Sequence, residues 1–195
     1  MQFPVFPLNG AVLFPGTNLP LNIFEPRYIQ MVDYALLNNR LIGMIQKKEN
    51  DNLFDIGCLG KITNFSEKYD GRYEINLEGL YCFKIIKVDK NNHSFITVNA
   101  EPIIAEKNIN GTLLKNKILS SYQKYLNYKQ IKLNLSQFND LDTINLSKII
   151  CILSPFDFLV KQMLLEENNE KEFCEKLISV LEIETQDNQK NIKLN

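Results

Sequence analysis

Over roughly the first hundred positions the apolar residues come in short runs of changing period, separated by turn-forming residues. The cleanest run is Arg72–Gly79. There Tyr73, Ile75 and Leu77 alternate with Glu74, Asn76 and Glu78, a period of two that predicts a strand with one buried and one wet face. Ile56–Phe65 reads as the strand before it, and Tyr69-Asp70-Gly71-Arg72 joins them. Asp-Gly predicts a type I′ hairpin turn, which needs positive φ at both central residues. Tyr81–Asp89 reads as a further strand, Asn91-Asn92 as a turn, and Ser94–Ala100 as the return, with Ile96, Val98 and Ala100 on one face. Leu41–Gln46 is largely apolar and is expected at the centre of the sheet.

One helix interrupts these strands. Pro26 suits a first helical position, where the missing N–H is no loss. Tyr28, Met31, Val32, Ala35 and Leu36 follow at helical spacing until Asn38-Asn39 stops the run. Pro4, Pro7, Pro15 and Pro20 cannot donate to a ladder, so their segments are expected at sheet edges or in extended connections. Many short strands with one helix predict a closed or half-closed barrel, not a doubly wound sheet.

Beyond a polar connection at 105–110 the period becomes helical. Leu114, Ile118, Tyr122 and Tyr125 mark one helix face, and Leu146, Ile149, Ile150 and Leu153 another. Ser154-Pro155-Phe156-Asp157 resembles a capping box, and Asn169-Glu170-Lys171-Glu172 opens a run carrying Phe173, Leu177, Val180 and Leu181. The expectation is four helices of about 10–15 residues. The fold class is therefore α+β, with a barrel domain over 1–105, a helical bundle over 106–186 and a polar, frayed tail over 187–195.

Composition narrows the function classes. The 195 residues carry a formal net charge of −1 and a pI of about 5.9, which argues against a generic nucleic-acid binder needing a basic face. No apolar run approaches the ~20 residues of a membrane span. The N-terminus lacks a basic, then apolar, leader, so no secretory signal is read and a cytoplasmic location is expected. Cys58, Cys82, Cys151 and Cys174 are widely spaced, form no CxxC pair and have only His93, in an expected surface turn, as a histidine companion. They are read as reduced core thiols, with no metal site. There is no P-loop, no GxSxG elbow and no HExxH. No catalytic residue and no cofactor is assigned.

One series of landmarks is specific. Val5-Phe6-Pro7-Leu8, Leu13-Phe14-Pro15-Gly16 and Leu19-Pro20-Leu21-Asn22-Ile23-Phe24-Glu25-Pro26-Arg27-Tyr28 follow one another at short spacing. They resemble the opening of the substrate-binding N-terminal domain of Lon proteases. The resemblance runs on through Arg40-Leu41-Ile42-Gly43-Met44-Ile45-Gln46, through Ile56-Gly57-Cys58-Leu59-Gly60-Lys61-Ile62 and through Asp70-Gly71-Arg72-Tyr73 with Leu77-Glu78-Gly79-Leu80. It ends in Leu153-Ser154-Pro155-Phe156 and Lys161-Gln162-Met163-Leu164-Leu165-Glu166, as in the short stand-alone Lon-domain proteins of bacteria. The chain departs from the family where "RFRI" is replaced by Cys82-Phe83-Lys84-Ile85. A thiol cannot replace a five-donor guanidinium, so a bidentate contact made there is lost.

The resemblance implies a PUA-like pseudobarrel followed by a helical bundle. It also implies a non-catalytic module that recognises unfolded polypeptide or a partner protein, the ATPase and protease domains of full Lon being absent from this sequence. A peptidase label would then be inherited from the family name. A barrel edge can pair a backbone while an adjacent apolar groove takes side chains. Phe14, Phe24, Glu25, Arg27 and Tyr28 are the candidate binding residues. The competing reading of this Pro- and Phe-rich segment is barrel-closing core, with Glu25 and Arg27 paired locally. The alternative function is an RNA- or small-molecule-binding PUA-like module; the former would need a basic groove and the latter a deep pocket with convergent polar groups.

Overall fold

The computed structural model describes residues 1–49, 52–89, 93–106 and 112–192. The expected Asn91-Asn92 turn and most of the polar connection before the helices lie outside them. Six strands form one sheet: β1 (Gln2–Pro7), β2 (Asn18–Ile23), β3 (Leu41–Ile45), β4 (Ile56–Glu67), β5 (Tyr73–Asp89) and β6 (Ile96–Pro102). Their order is β2-β5-β4-β3-β1-β6, and β6 also pairs with β5. That extra pairing closes β5, β4, β3, β1 and β6 into a ring and leaves β2 as a flap strand beside the first half of β5. Helix α1 (Pro26–Leu37) lies between β2 and β3. It starts with proline in its first turn and buries Tyr28, Met31, Val32 and Ala35.

The ring encloses Phe3, Val5, Ile45, Leu59, Phe83, Val98 and Ala100, with the Phe3 and Phe83 rings edge-to-face at 5.0 Å. The prolines of β1 are placed by the ladder. Only β6 pairs at Pro4 and only β3 at Pro7, so β1 runs inside the sheet while each proline meets one neighbour. Among the described residues β2 has β5 as its one strand partner, which places Pro20 on an edge, as its missing N–H requires.

Two expectations about the long hairpin change. Arg72–Gly79 and Tyr81–Asp89 are one strand, β5. At Gly79 the strand is not broken but docked: Gly16 donates to its carbonyl at 2.8 Å, and its own N–H reaches Thr17 O at 2.9 Å. A β-carbon at Gly79 would lie 2.1 Å from Phe14 O, so glycine is required by close approach. The turn itself has positive φ at Gly71 alone (+79°). Gly71 N–H donates to Lys68 O and Lys68 N–H to Arg72 O. This is a three-residue loop with one left-handed glycine, not the two-residue type I′ turn.

The chain divides into two compact units, Met1–Ile104 with Asp157–Glu166, and Ala105–Phe156 with Glu167–Asn195. The second holds α2 (Thr112–Tyr128), α3 (Thr143–Leu153) and α5 (Glu170–Ile192). Ile118, Tyr122 and Tyr125 pack inside it with Leu146, Ile150, Phe173, Leu177 and Leu181. Asn169 opens α5, its Oδ1 accepting from the N–H groups of Lys171 and Glu172. Backbone helix continues to Ile192, through most of the segment expected as a frayed tail.

Helix α4 (Phe158–Leu165) belongs to the sheet unit, so a single cut near residue 105 does not describe the contacts. Its cap is Asp157, which accepts from Leu159 N–H at 2.8 Å, while Ser154 is buried and terminates α3. The reason is a pair of buried amides. Gln162 donates to Ile56 O at 3.0 Å, and Gln46 donates to Gln162 Oε1 and Phe158 O, both at 3.1 Å.

Candidate polypeptide-binding face

On the flap the register sorts side chains into two faces. Leu19–Leu77–Ile62, Leu21–Ile75–Phe65 and Ile23–Tyr73–Glu67 are three cross-strand rows over β2, β5 and β4. The alternate rows are Asn18–Glu78–Lys61, Pro20–Asn76–Asn64 and Asn22–Glu74–Ser66. One face is thus almost wholly apolar and the other polar. The polar side is knitted by Asn76 Nδ2, which donates to Asn18 Oδ1 and Thr63 Oγ1 at 2.9 Å each. On the apolar side Ile75, Leu77 and Ile62 are buried, Leu19, Leu21 and Tyr73 are half-buried, and Phe65 is exposed. The Phe65 and Tyr73 rings meet edge-on at 4.9 Å. Burial raises the Tyr73 pKa first, and the Asp33 carboxyl of α1 adds to the rise.

The β2–α1 junction follows directly from Ile23. Phe24 is 65% exposed, although the chain around it is held firmly. Glu25 O accepts from the N–H groups of Tyr28 and Ile29 at 2.9 and 3.0 Å. Glu25 Oε2 takes both Nη2 (2.7 Å) and Nε (3.0 Å) of Arg27. The Arg27 guanidinium lies 4.5 Å from the centroid of the Tyr28 ring, a cation–π placement. Tyr28 is buried against Phe6, with ring centroids 4.4 Å apart. Burial is the main cause that raises its pKa, opposed by the Arg27 charge.

The five candidates therefore separate. Phe24, Glu25, Arg27 and Tyr28 form one junction, and only Phe24 offers a large apolar side chain to solvent there. Phe14 is 3% exposed. Its backbone is clamped by Thr17, whose Oγ1 accepts from Phe14 N–H at 3.1 Å and donates to Phe14 O at 2.8 Å. Phe14 thus faces the interior and not the junction surface. Sequence reading passed over Phe65. Ile62 and Phe65 are three apart, so strict alternation puts them on opposite faces. A bulge between Ile62 and Asn64 inserts one residue and returns Phe65 to the apolar side.

Among the described residues no group of three or more His, Cys, Asp and Glu side chains gathers to hold a metal ion, and no helix is long and apolar enough to cross a membrane. His93 is exposed and stacks on Phe95 at 4.7 Å.

Comparison with known proteins sets this geometry in a family. The chain is 27% identical over 198 residues to Lon protease of Buchnera aphidicola subsp. Baizongia pistaciae and 26% identical over 198 residues to Lon protease of Escherichia coli (strain K12). Each match covers 94% of this chain and 25% of the relative, so the chain spans about a quarter of the length of these curated relatives. The fold is similar to that of a Lon N-terminal domain protein from Xanthomonas campestris (TM-score 0.65, 18% identity, 92% of this chain and 98% of that one). It is also similar to the N-terminal domain of Mycobacterium avium complex Lon protease (TM-score 0.67, 15% identity, 96% and 99%). The pattern that defines the ATP-dependent protease La (LON) substrate-binding domain matches residues 2–182, and the chain belongs to that family.

Proposed function

We propose that this domain is a non-catalytic recognition module for unfolded polypeptide, working in the cytoplasm and presenting bound chains to a degradative partner. The observation that carries the reading is Phe24, two-thirds exposed on a junction that is held by backbone and ion-pair contacts and follows directly on β2. An unfolded chain presents what such a surface takes up: apolar side chains for the exposed Phe24 and Phe65 and unpaired backbone groups for the outer edge of β2. Family membership supports the same reading, because substrate binding is what the family is described by. Aromatic anchors in such surfaces carry a large share of binding energy.

The test is fluorescence anisotropy of labelled, unfolded casein titrated with the protein. Saturable binding is expected, with Phe24→Ala weakening it by about tenfold, equivalent to ~1.4 kcal/mol. Unchanged affinity in that variant would move the site elsewhere, and no binding by the parent protein would end the reading. A gel of the same mixture with and without ATP is expected to show intact casein; cleavage that follows the protein through purification would overturn its non-catalytic part.

A further inference from the structure

The sheet sets Cys58 of β4 directly opposite Cys82 of β5. Phe6, Met44, Cys58 and Cys82 form one cross-strand row over β1, β3, β4 and β5, alternating with the residues that fill the ring. The kind of pair follows from where the backbone groups point. Cys82 O accepts from Ile103 N–H at 2.8 Å, whereas Ile85 donates to Asp55 O at 2.8 Å. On this stretch of β5 the even-numbered residues thus turn their backbone groups away from β4. Ile62 donates to Arg40 O at 2.8 Å, so even-numbered residues of β4 turn theirs toward β3. Cys58 and Cys82 therefore make a non-hydrogen-bonded antiparallel pair, the arrangement with Cα atoms about 4.5 Å apart. That lies inside the roughly 4.4–6.8 Å span a disulfide bridges. Both side chains leave the same face, and register alone has aligned them.

Access differs between the two. Cys58 is buried and Cys82 half-buried, its Sγ 3.9 Å from Leu165 O at the end of α4. The remaining pair contrasts with this. Cys151 and Cys174 are buried in the helical unit, and burial raises the Cys174 pKa despite its contact with Ser147 Oγ at 3.3 Å. With both of its thiols buried, that pair offers no accessible sulfur to start an exchange.

We propose that Cys58 and Cys82 are a thiol-modification site that closes to a cross-strand disulfide by exchange with a small-molecule disulfide of the glutathione type. The Cys82 thiolate attacks one sulfur of the reagent, forming a mixed disulfide and releasing one small thiol, which takes up the Cys82 proton. The Cys58 thiolate then attacks the Cys82 sulfur and expels the second small thiol, which takes up the Cys58 proton. The protein loses two protons and two electrons, and the reagent gains both. Cys82, the partly exposed partner, leaves the bond open to reduction by the reverse path.

The experiment treats the folded, full-length protein with oxidised glutathione, quenches with acid, then alkylates in denaturant and maps tryptic peptides. Lys61, Lys68 and Arg72 lie between the two cysteines, so the linked peptides are distinguishable. Cys58 and Cys82 are expected to be lost from alkylation together and recovered as one cross-linked pair that dithiothreitol releases, with Cys151 and Cys174 still alkylated. In Cys58→Ser the reaction is expected to stop at a glutathione adduct on Cys82. Three outcomes for the parent protein would each overturn the proposal: a persistent adduct on Cys82 with Cys58 alkylated, a link between other cysteines, or full alkylation of all four. The parent measurement decides the matter even if the serine variant folds poorly.

Discussion

The Tyr125 hydroxyl is buried and has no hydrogen-bond partner among the described residues. Its ring sits 6.1 Å from Tyr122 and 5.6 Å from Phe156. Burial, then the Glu184 carboxylate and Tyr122, push its pKa from 10.0 to about 12. Removing an unsatisfied buried hydroxyl relieves a desolvation penalty, so Tyr125→Phe is expected to stabilise the protein by about 1 kcal/mol. The pH dependence follows. The unfolded chain loses this proton near pH 10 and the folded chain near 12, so the folded state binds more protons between them. Stability is undiminished below pH 10 and falls as pH rises toward 12. Urea midpoints of parent and variant on either side of pH 10 check this: the gap is expected to widen at the higher pH, and a constant gap would contradict the assigned cause. The same scale explains what the chain alone hid at the junction. Phe14 and Phe24 both sit beside Pro or Glu-Pro in one apolar segment, and nothing local separates the buried ring from the exposed one. Thr17 and the approach of Gly79 decide it for Phe14.

Among the elements, β5 carries most of the architecture, because it pairs with β2, β4 and β6 along its 17 residues. Its alternation was legible in Tyr73, Ile75 and Leu77. Its continuity was not, since Gly79-Leu80 reads locally as a stop. The glycine is there because the Phe14–Thr17 loop lies against the strand. Gly79→Ala is expected to cost about 1–3 kcal/mol or more, since the contact is backbone and cannot rotate away. Gly71→Ala has open space around its β-carbon. It is expected to cost only about 1–2 kcal/mol, from the positive φ. Chemical denaturation of the two variants tests the order; an Ala at 79 as mild as one at 71 would mean the loop moves freely. Bulges escape sequence reading for a related reason. An inserted residue is defined by the partner strand, and the Ile62/Asn64 shift that returns Phe65 to the apolar face has no local signature.

For the molecule as a whole, the informative element is α4, which lies among helices in the chain yet belongs to the sheet unit. The buried Gln46–Gln162 pair holds it there, with Ile56 O and Phe158 O as further partners. Gln162→Leu removes the bond to the Ile56 carbonyl and one of the two that Gln46 Nε2 donates, and is expected to cost about 1–3 kcal/mol. A chain ended after Ile104 loses α4 altogether and is expected to lose its sharp urea transition. Circular dichroism through a urea titration reads both effects. A fully cooperative transition in the truncated chain would show that the closed ring stabilises itself.

Hydrophobic periodicity and proline placement determined most of the elements by themselves: the strand faces, the start of α1 at Pro26 and the change to helical spacing after residue 105. These are local properties, set by backbone sterics and by the repeat of side chains along one segment. The Pro/Phe landmarks likewise sufficed to point to the family that residues 2–182 match. Tertiary structure alone decided the pairing of β1 with β6 that completes the ring, the return of α4 to the sheet, the burial of Phe14 beside the exposure of Phe24, and the pairing of Cys58 with Cys82. Each depends on contacts between residues distant in the chain, where register, bulges and buried amides outweigh any preference written into a single segment.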